Sequence, residues 1–132
     1  MLTKEQIIQY QEEGFVIPDY KMSENDLLEI EEKHNQLINK YPEYKNYCPA
    51  VLLKDESFLK YCLNDKILDF VKQLLGNNFA LWNSSFFAKP AHNGFETPWH
   101  QDGQYWPINP LATCTVWLAI DDATEENGCL RF

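Results

Sequence analysis

Arginine is nearly missing from this chain: ten of its eleven basic residues are lysine, and Arg131 is the only arginine. With a net charge of −9, the chain lacks the clustered cations that nucleic acid or an anionic membrane surface would require. Long apolar runs are absent too. No segment approaches a transmembrane span, and the N-terminal "MLTKEQIIQYQEEG" is too evenly charged for a signal peptide. The four cysteines (Cys48, Cys62, Cys114, Cys129) form no C-x-x-C pair, which disfavours a zinc knuckle and suits reduced thiols in a cytoplasmic protein. Internal repeats and low-complexity segments are also lacking. Histidine is scarce, with only His34, His92 and His100, so any imidazole chemistry rests on few residues.

Apolar and aromatic residues, by contrast, are plentiful. At 45% hydrophobic content with eight Phe, seven Tyr and four Trp, the 132 residues are expected to fold as a single domain. Residues 1–76 read as mostly helical and 77–132 as mostly strand, which predicts an α+β arrangement. Thr3 with Gln6 forms a capping box, with Leu2 and Ile7 placed as a hydrophobic staple, for a helix that stops at Gly14. "FVIPDY" then reads as a short extended segment confined to an edge or turn by Pro18. Ser23 caps a second helix, in which Leu27, Ile30, His34, Leu37 and Tyr41 recur at helical spacing. His34 reads as a partly buried structural histidine, because no other ligand type sits one turn away. "YPEYKNYCPAVLL" is loop-like, and two short helices follow near 55–63 and 65–75, the second closed by Gly76. From Phe79 the period becomes two. "FALWNSSFFAKP", the segment bearing His100, "TCTVWLAIDD" and "GCLRF" are all expected to be strands.

The chemistry concentrates in "TPWHQDGQYWP", residues 97–107. On a strand, residues i and i+2 share a side, so His100 and Asp102 could grip one metal ion while Gln101 points away. An H-x-D spacing alone is common by chance. Here it follows a Gly-containing loop and is flanked by Trp99, Tyr105 and Trp106, which read either as the lining of a cavity or as core. One imidazole and one carboxylate are two members of the 2-His-1-carboxylate triad that holds Fe(II) and leaves positions open for oxygen chemistry.

"PWHQDGQYWPINP" followed by "TVWLAIDDATEENGCLRF" resembles the phytanoyl-CoA dioxygenase family of Fe(II)- and 2-oxoglutarate-dependent oxygenases. The opening "LTKEQIIQYQEEGFVIPDY" resembles that family's first helix and strand. The resemblance implies N-terminal helices packed on a double-stranded β-helix (a jelly-roll or cupin-like sheet) that is incomplete here. It also implies an enzyme that hydroxylates a small molecule with Fe(II), 2-oxoglutarate and O2. Residue by residue, it implies His100 and Asp102 as iron ligands, with Trp117 and Ser85 beside 2-oxoglutarate. Thr115 shares the face of Trp117 on an ideal strand and would reach the same pocket, an inference from alternation. His92 matches no ligand of the family and reads as a surface residue.

The family's second iron histidine and its 2-oxoglutarate arginine lie beyond the N-G-C-L strand, and neither is found in this sequence. Arg131 is on the wrong strand for that role and reads as a structural or surface residue. The chain is therefore expected to be the N-terminal part of a longer enzyme. A jelly-roll barrel needs about eight strands, and a sheet with only some of them exposes edges that invite pairing, so a homodimer is expected. A non-catalytic interaction module with a degenerate metal site is the alternative. A cupin-like isomerase is disfavoured by the few histidines, and a halogenase by Asp102, which occupies the position that halide needs.

Overall fold

The structure is a computed structural model describing residues 1–132. Its order begins with α1 (Lys4–Glu13), α2 (Glu24–Lys40) and the short strand β1 (Tyr47–Cys48), followed by α3 (Leu59–Cys62), α4 (Asp65–Leu75) and β2 (Phe86–Phe87). No helix is long and apolar enough to cross a membrane.

Local signals set the helix boundaries. The Thr3 hydroxyl accepts from the Gln6 amide at 3.2 Å while the Gln6 side chain accepts from the Thr3 amide at 2.9 Å, completing the capping box. Gly14 ends α1 with φ of 82°, a left-handed conformation that side chains resist, and its N–H donates to the Tyr10 carbonyl. α2 starts at Ser23, whose hydroxyl accepts from the Asp26 amide at 3.1 Å. Glu24 and Asp26 lie in its first turn and Lys40 in its last, the arrangement the helix dipole favours. Replacing Ser23 with Ala leaves that amide without its cap and is expected to destabilise the chain by about 1 kcal/mol. A lowered urea midpoint at unchanged slope would register the loss. Asn64 caps α4 by accepting from the Lys66 and Ile67 amides.

Packing joins these helices to a very small sheet. β1 and β2 pair antiparallel with Tyr47 opposite Phe87 and Cys48 opposite Phe86. Hydrogen bonds from the Val51 amide to the Ser84 carbonyl and from the Ala88 amide to the Asn46 carbonyl flank the pair. Against this lie Ile30 and Leu37 of α2, Phe58, Tyr61 and Ile67, with Val51 and Cys48 the most deeply enclosed. Leu2 is clamped to α4: its N–H donates to the Gln73 side chain at 2.7 Å, and that side chain donates back to the Leu2 carbonyl at 3.0 Å.

The second half departs from the expected strands. "FALWNSSFFAKP" contributes only Phe86–Phe87, and neither "TCTVWLAIDD" nor "GCLRF" forms a strand. Residues 113–123 take part in no backbone–backbone hydrogen bond. Alternation equips such a segment for a sheet, but a strand exists only where a neighbour exchanges N–H and C=O groups with it. The His100 segment likewise runs into a 3₁₀ turn, Asp102–Tyr105, and a second such turn covers Glu125–Asn127. "FVIPDY" stays irregular, with the Tyr20 amide turned back onto the Pro18 carbonyl. The short helix expected near 55–63 is present as a 3₁₀ turn (Glu56–Phe58) running directly into α3. The architecture is mixed α+β, with four helices and a two-stranded antiparallel sheet.

Candidate metal centre

His100 and Asp102 come together without a sheet. Gln101 between them is extended (φ −121°, ψ 122°), so the two side chains leave the backbone on one side. Asp102 then opens the 3₁₀ turn. His100 Nε2 lies 3.2 Å from Asp102 Oδ1. The other ring nitrogen, Nδ1, is 2.7 Å from the Pro98 carbonyl oxygen. A carbonyl can only accept, so Nδ1 carries a proton and donates it. In the neutral ring, Nε2 then presents a lone pair to the carboxylate. Two electron-rich atoms at this distance require a proton or a cation between them. The backbone contact on the far nitrogen is the device by which metal-ligating histidines are oriented.

The carboxylate has a further partner. The Thr115 hydroxyl donates to Asp102 Oδ2 at 3.3 Å, so the two carboxylate oxygens face different groups. Gly103 lets the turn approach its neighbour: a Cβ there would lie 2.5 Å from Leu111 Cδ2.

The surrounding aromatics leave the pair open. The Tyr105 ring meets the His100 ring edge-on at 6.3 Å, yet Tyr105 and Trp99 are both about two-thirds exposed. Trp106 is half-buried. Arg131 lies over the Trp99 ring at 5.4 Å and reaches Glu96 at 3.3 Å. Neither of two shallow surface grooves, one lined by Leu27, Leu28 and Ile120 and the other by Leu52, Leu53 and Trp82, includes His100 or Asp102.

Of the remaining expected site residues, Thr115 meets Asp102 directly. Trp117 is half-exposed. The Ser85 hydroxyl accepts from the Asn83 amide group at 3.4 Å, and no hydrogen bond links it to the pair. His92 is exposed, at φ of 66° in the turn closed by the Asn93 amide on the Pro90 carbonyl. Sequence reasoning missed two contributors, the Pro98 carbonyl and the carboxylate-facing role of Thr115. The Pro-x-His spacing hinted at the first, and only tertiary contact reveals the second. No cluster of three or more His, Cys, Asp or Glu side chains forms anywhere in the chain.

The family model for phytanoyl-CoA dioxygenase (PhyH) matches residues 2–132. The chain belongs to the phytanoyl-CoA dioxygenase family. It is 37% identical over 83 residues to a probable phytanoyl-CoA dioxygenase of Caenorhabditis elegans, a match covering 58% of this chain and 27% of the relative. It is 26% identical to the peroxisomal phytanoyl-CoA dioxygenase of Mus musculus, over 98% of this chain and 46% of that protein. A probable alpha-ketoglutarate-dependent hypophosphite dioxygenase of Stutzerimonas stutzeri is 27% identical over 82% of this chain and 36% of its own length. The chain thus spans about half or less of the curated relatives it matches. No solved structure matches it.

Proposed function

We propose that this chain carries the metal-binding part of an Fe(II)- and 2-oxoglutarate-dependent dioxygenase that hydroxylates a small molecule, on the jelly-roll plan of its family. The observation that carries this reading is the pair itself. His100, its Nδ1 held by the Pro98 carbonyl, brings Nε2 within 3.2 Å of the Asp102 carboxylate. An imidazole nitrogen and a carboxylate oxygen suit Fe(II), which takes mixed N and O donors and binds two protein ligand types in this enzyme class. When bound, Fe(II) supplies open positions at which 2-oxoglutarate chelates and O2 is activated. The chain's own residues orient the ligand atoms: Pro98 sets the ring of His100, and Asp102 presents one oxygen toward it. In this reading Trp117 and Ser85 lie along 2-oxoglutarate, and Trp99 and Tyr105 contribute apolar surface to the substrate side. The alpha-ketoglutarate-dependent relative supports the choice of co-substrate.

Anaerobic titration with Fe(II) and 2-oxoglutarate tests this proposal. A visible metal-to-ligand charge-transfer band is expected, and Asp102→Ala should abolish it. A folded chain that gives no band would count against the reading. It would favour the second one, a non-catalytic interaction module, which draws on the absence of any three-residue ligand cluster.

The exposed apolar surface supports a proposal about partners. A compact 15.5 kDa monomer is expected to expose about 7,200 Å², whereas this chain exposes 10402 Å². The excess exceeds the roughly 1,600 Å² that a standard interface buries in total. Trp82, Phe87, Trp117 and Phe132 are all at least half exposed, and β2 pairs on one side only. A second copy of the chain, pairing along this sheet edge, is the proposed occupant. Light scattering should give a dimer mass at micromolar concentration, and Phe87→Lys should return a monomer. A monodisperse wild-type monomer would rule this out.

A further inference from the structure

The contact between Thr115 and Asp102 joins two segments 13 residues apart in sequence. It is made by an exposed side chain, so burial does not explain it. Asp102 has two oxygens with different surroundings. Oδ1 lies 3.2 Å from His100 Nε2, and Oδ2 accepts the Thr115 hydroxyl proton at 3.3 Å. A carboxylate free of such a partner can turn either oxygen, or both, toward a cation. Holding Oδ2 leaves one oxygen beside the imidazole. Threonine suits this task because its β-branch restricts χ1, which keeps the hydroxyl where the backbone points it.

We propose that Thr115 is a positioning residue: its hydroxyl occupies Asp102 Oδ2, so that Asp102 meets a divalent cation through Oδ1 alone, beside His100 Nε2. The inference rests on the reading of His100 and Asp102 as metal ligands and assigns to Thr115 a role toward the carboxylate rather than toward 2-oxoglutarate. One-oxygen coordination keeps one more position on the ion open than two-oxygen chelation would. The hydroxyl therefore governs both the strength of the site and its vacancy. Outer partners of ligating groups typically change metal affinity about 10- to 100-fold when removed.

The test is Mn(II) binding to the 132-residue chain, followed by loss of the aqueous Mn(II) electron paramagnetic resonance signal, with Asp102→Ala as the background for diffuse binding to this acidic surface. Thr115→Val keeps the shape and removes the donor; Thr115→Ser keeps the donor. Thr115→Val should weaken the Asp102-dependent affinity about tenfold, and Thr115→Ser should stay within about threefold of the parent. Thermal midpoints without metal should coincide for all three, since the side chain is exposed. If the parent chain shows no Asp102-dependent binding, the metal reading itself falls. If it binds and Thr115→Val binds equally well, only the role of Thr115 falls. Equal weakening in Val and Ser variants, or a lower metal-free midpoint at unchanged affinity, would make the contact a strap between segments and overturn the proposal.

Discussion

Replacing Phe58 with Ala is expected to remove about 3–5 kcal/mol of stability. Phe58 is 3% exposed and sits where the helical half meets the sheet. Its ring meets Phe86 of β2 edge-on at 5.1 Å and lies 6.2 Å from the Tyr61 ring. Truncation thus deletes both the buried area and two aromatic contacts, and leaves a void between rigid neighbours. The loss is large relative to the total, because only ten of the 132 residues are buried and a domain of this size has about 5–15 kcal/mol to lose. Urea unfolding followed by tryptophan fluorescence should show the midpoint collapse toward zero denaturant. Phe58→Leu, which retains most of the volume, should lose about half as much or less. If Phe58→Ala unfolds within about 1 kcal/mol of the parent, the contact between helices and sheet is not where the stability resides.

The helical half was legible because its information is local. Thr3 with Gln6, Ser23, Gly14 and Gly76 each mark an end through contacts within about one turn. The apolar spacing of Ile30 and Leu37 names the buried face of α2 without knowledge of what covers it. Strands carry no such self-sufficiency. "TCTVWLAIDD" alternates as well as any strand, yet its backbone groups find no backbone partner. What remains of its pattern is Leu118 and Ile120 packed against the core. The same distinction runs through the site. His100 and Asp102 were legible because a two-residue spacing and one extended residue suffice to align them. The Thr115 contact was not, because it depends on how two unpaired segments lie together, and alternation pointed it toward Trp117 instead.

Acidification from about pH 7.5 to 5 is expected to weaken the fold through His34. This half-buried residue of α2 packs its ring 4.7 Å from that of Phe86, and its Nε2 is enclosed without any hydrogen-bond partner. Burial pushes its pKa below the ordinary 6.5, and the attraction of Asp121 offsets this only in part. The folded state therefore binds fewer protons than the unfolded chain just below pH 6.5. Stability is fully present above that value and falls as the pH drops, levelling off once the folded imidazole is itself protonated. The carboxylates held below their ordinary values, Glu29 and Asp55 among them, act lower, below 4.5 and 3.8 respectively. The interval between is governed by His34. His34→Leu removes both the titrating group and a buried nitrogen whose unmet hydrogen bond costs about 1–3 kcal/mol. The variant should be at least as stable as the parent at pH 7.5 and should lose the slope between about pH 6.5 and 4.5. Urea midpoints of both proteins across that interval decide the matter, and equal slopes would mean that another group carries the proton.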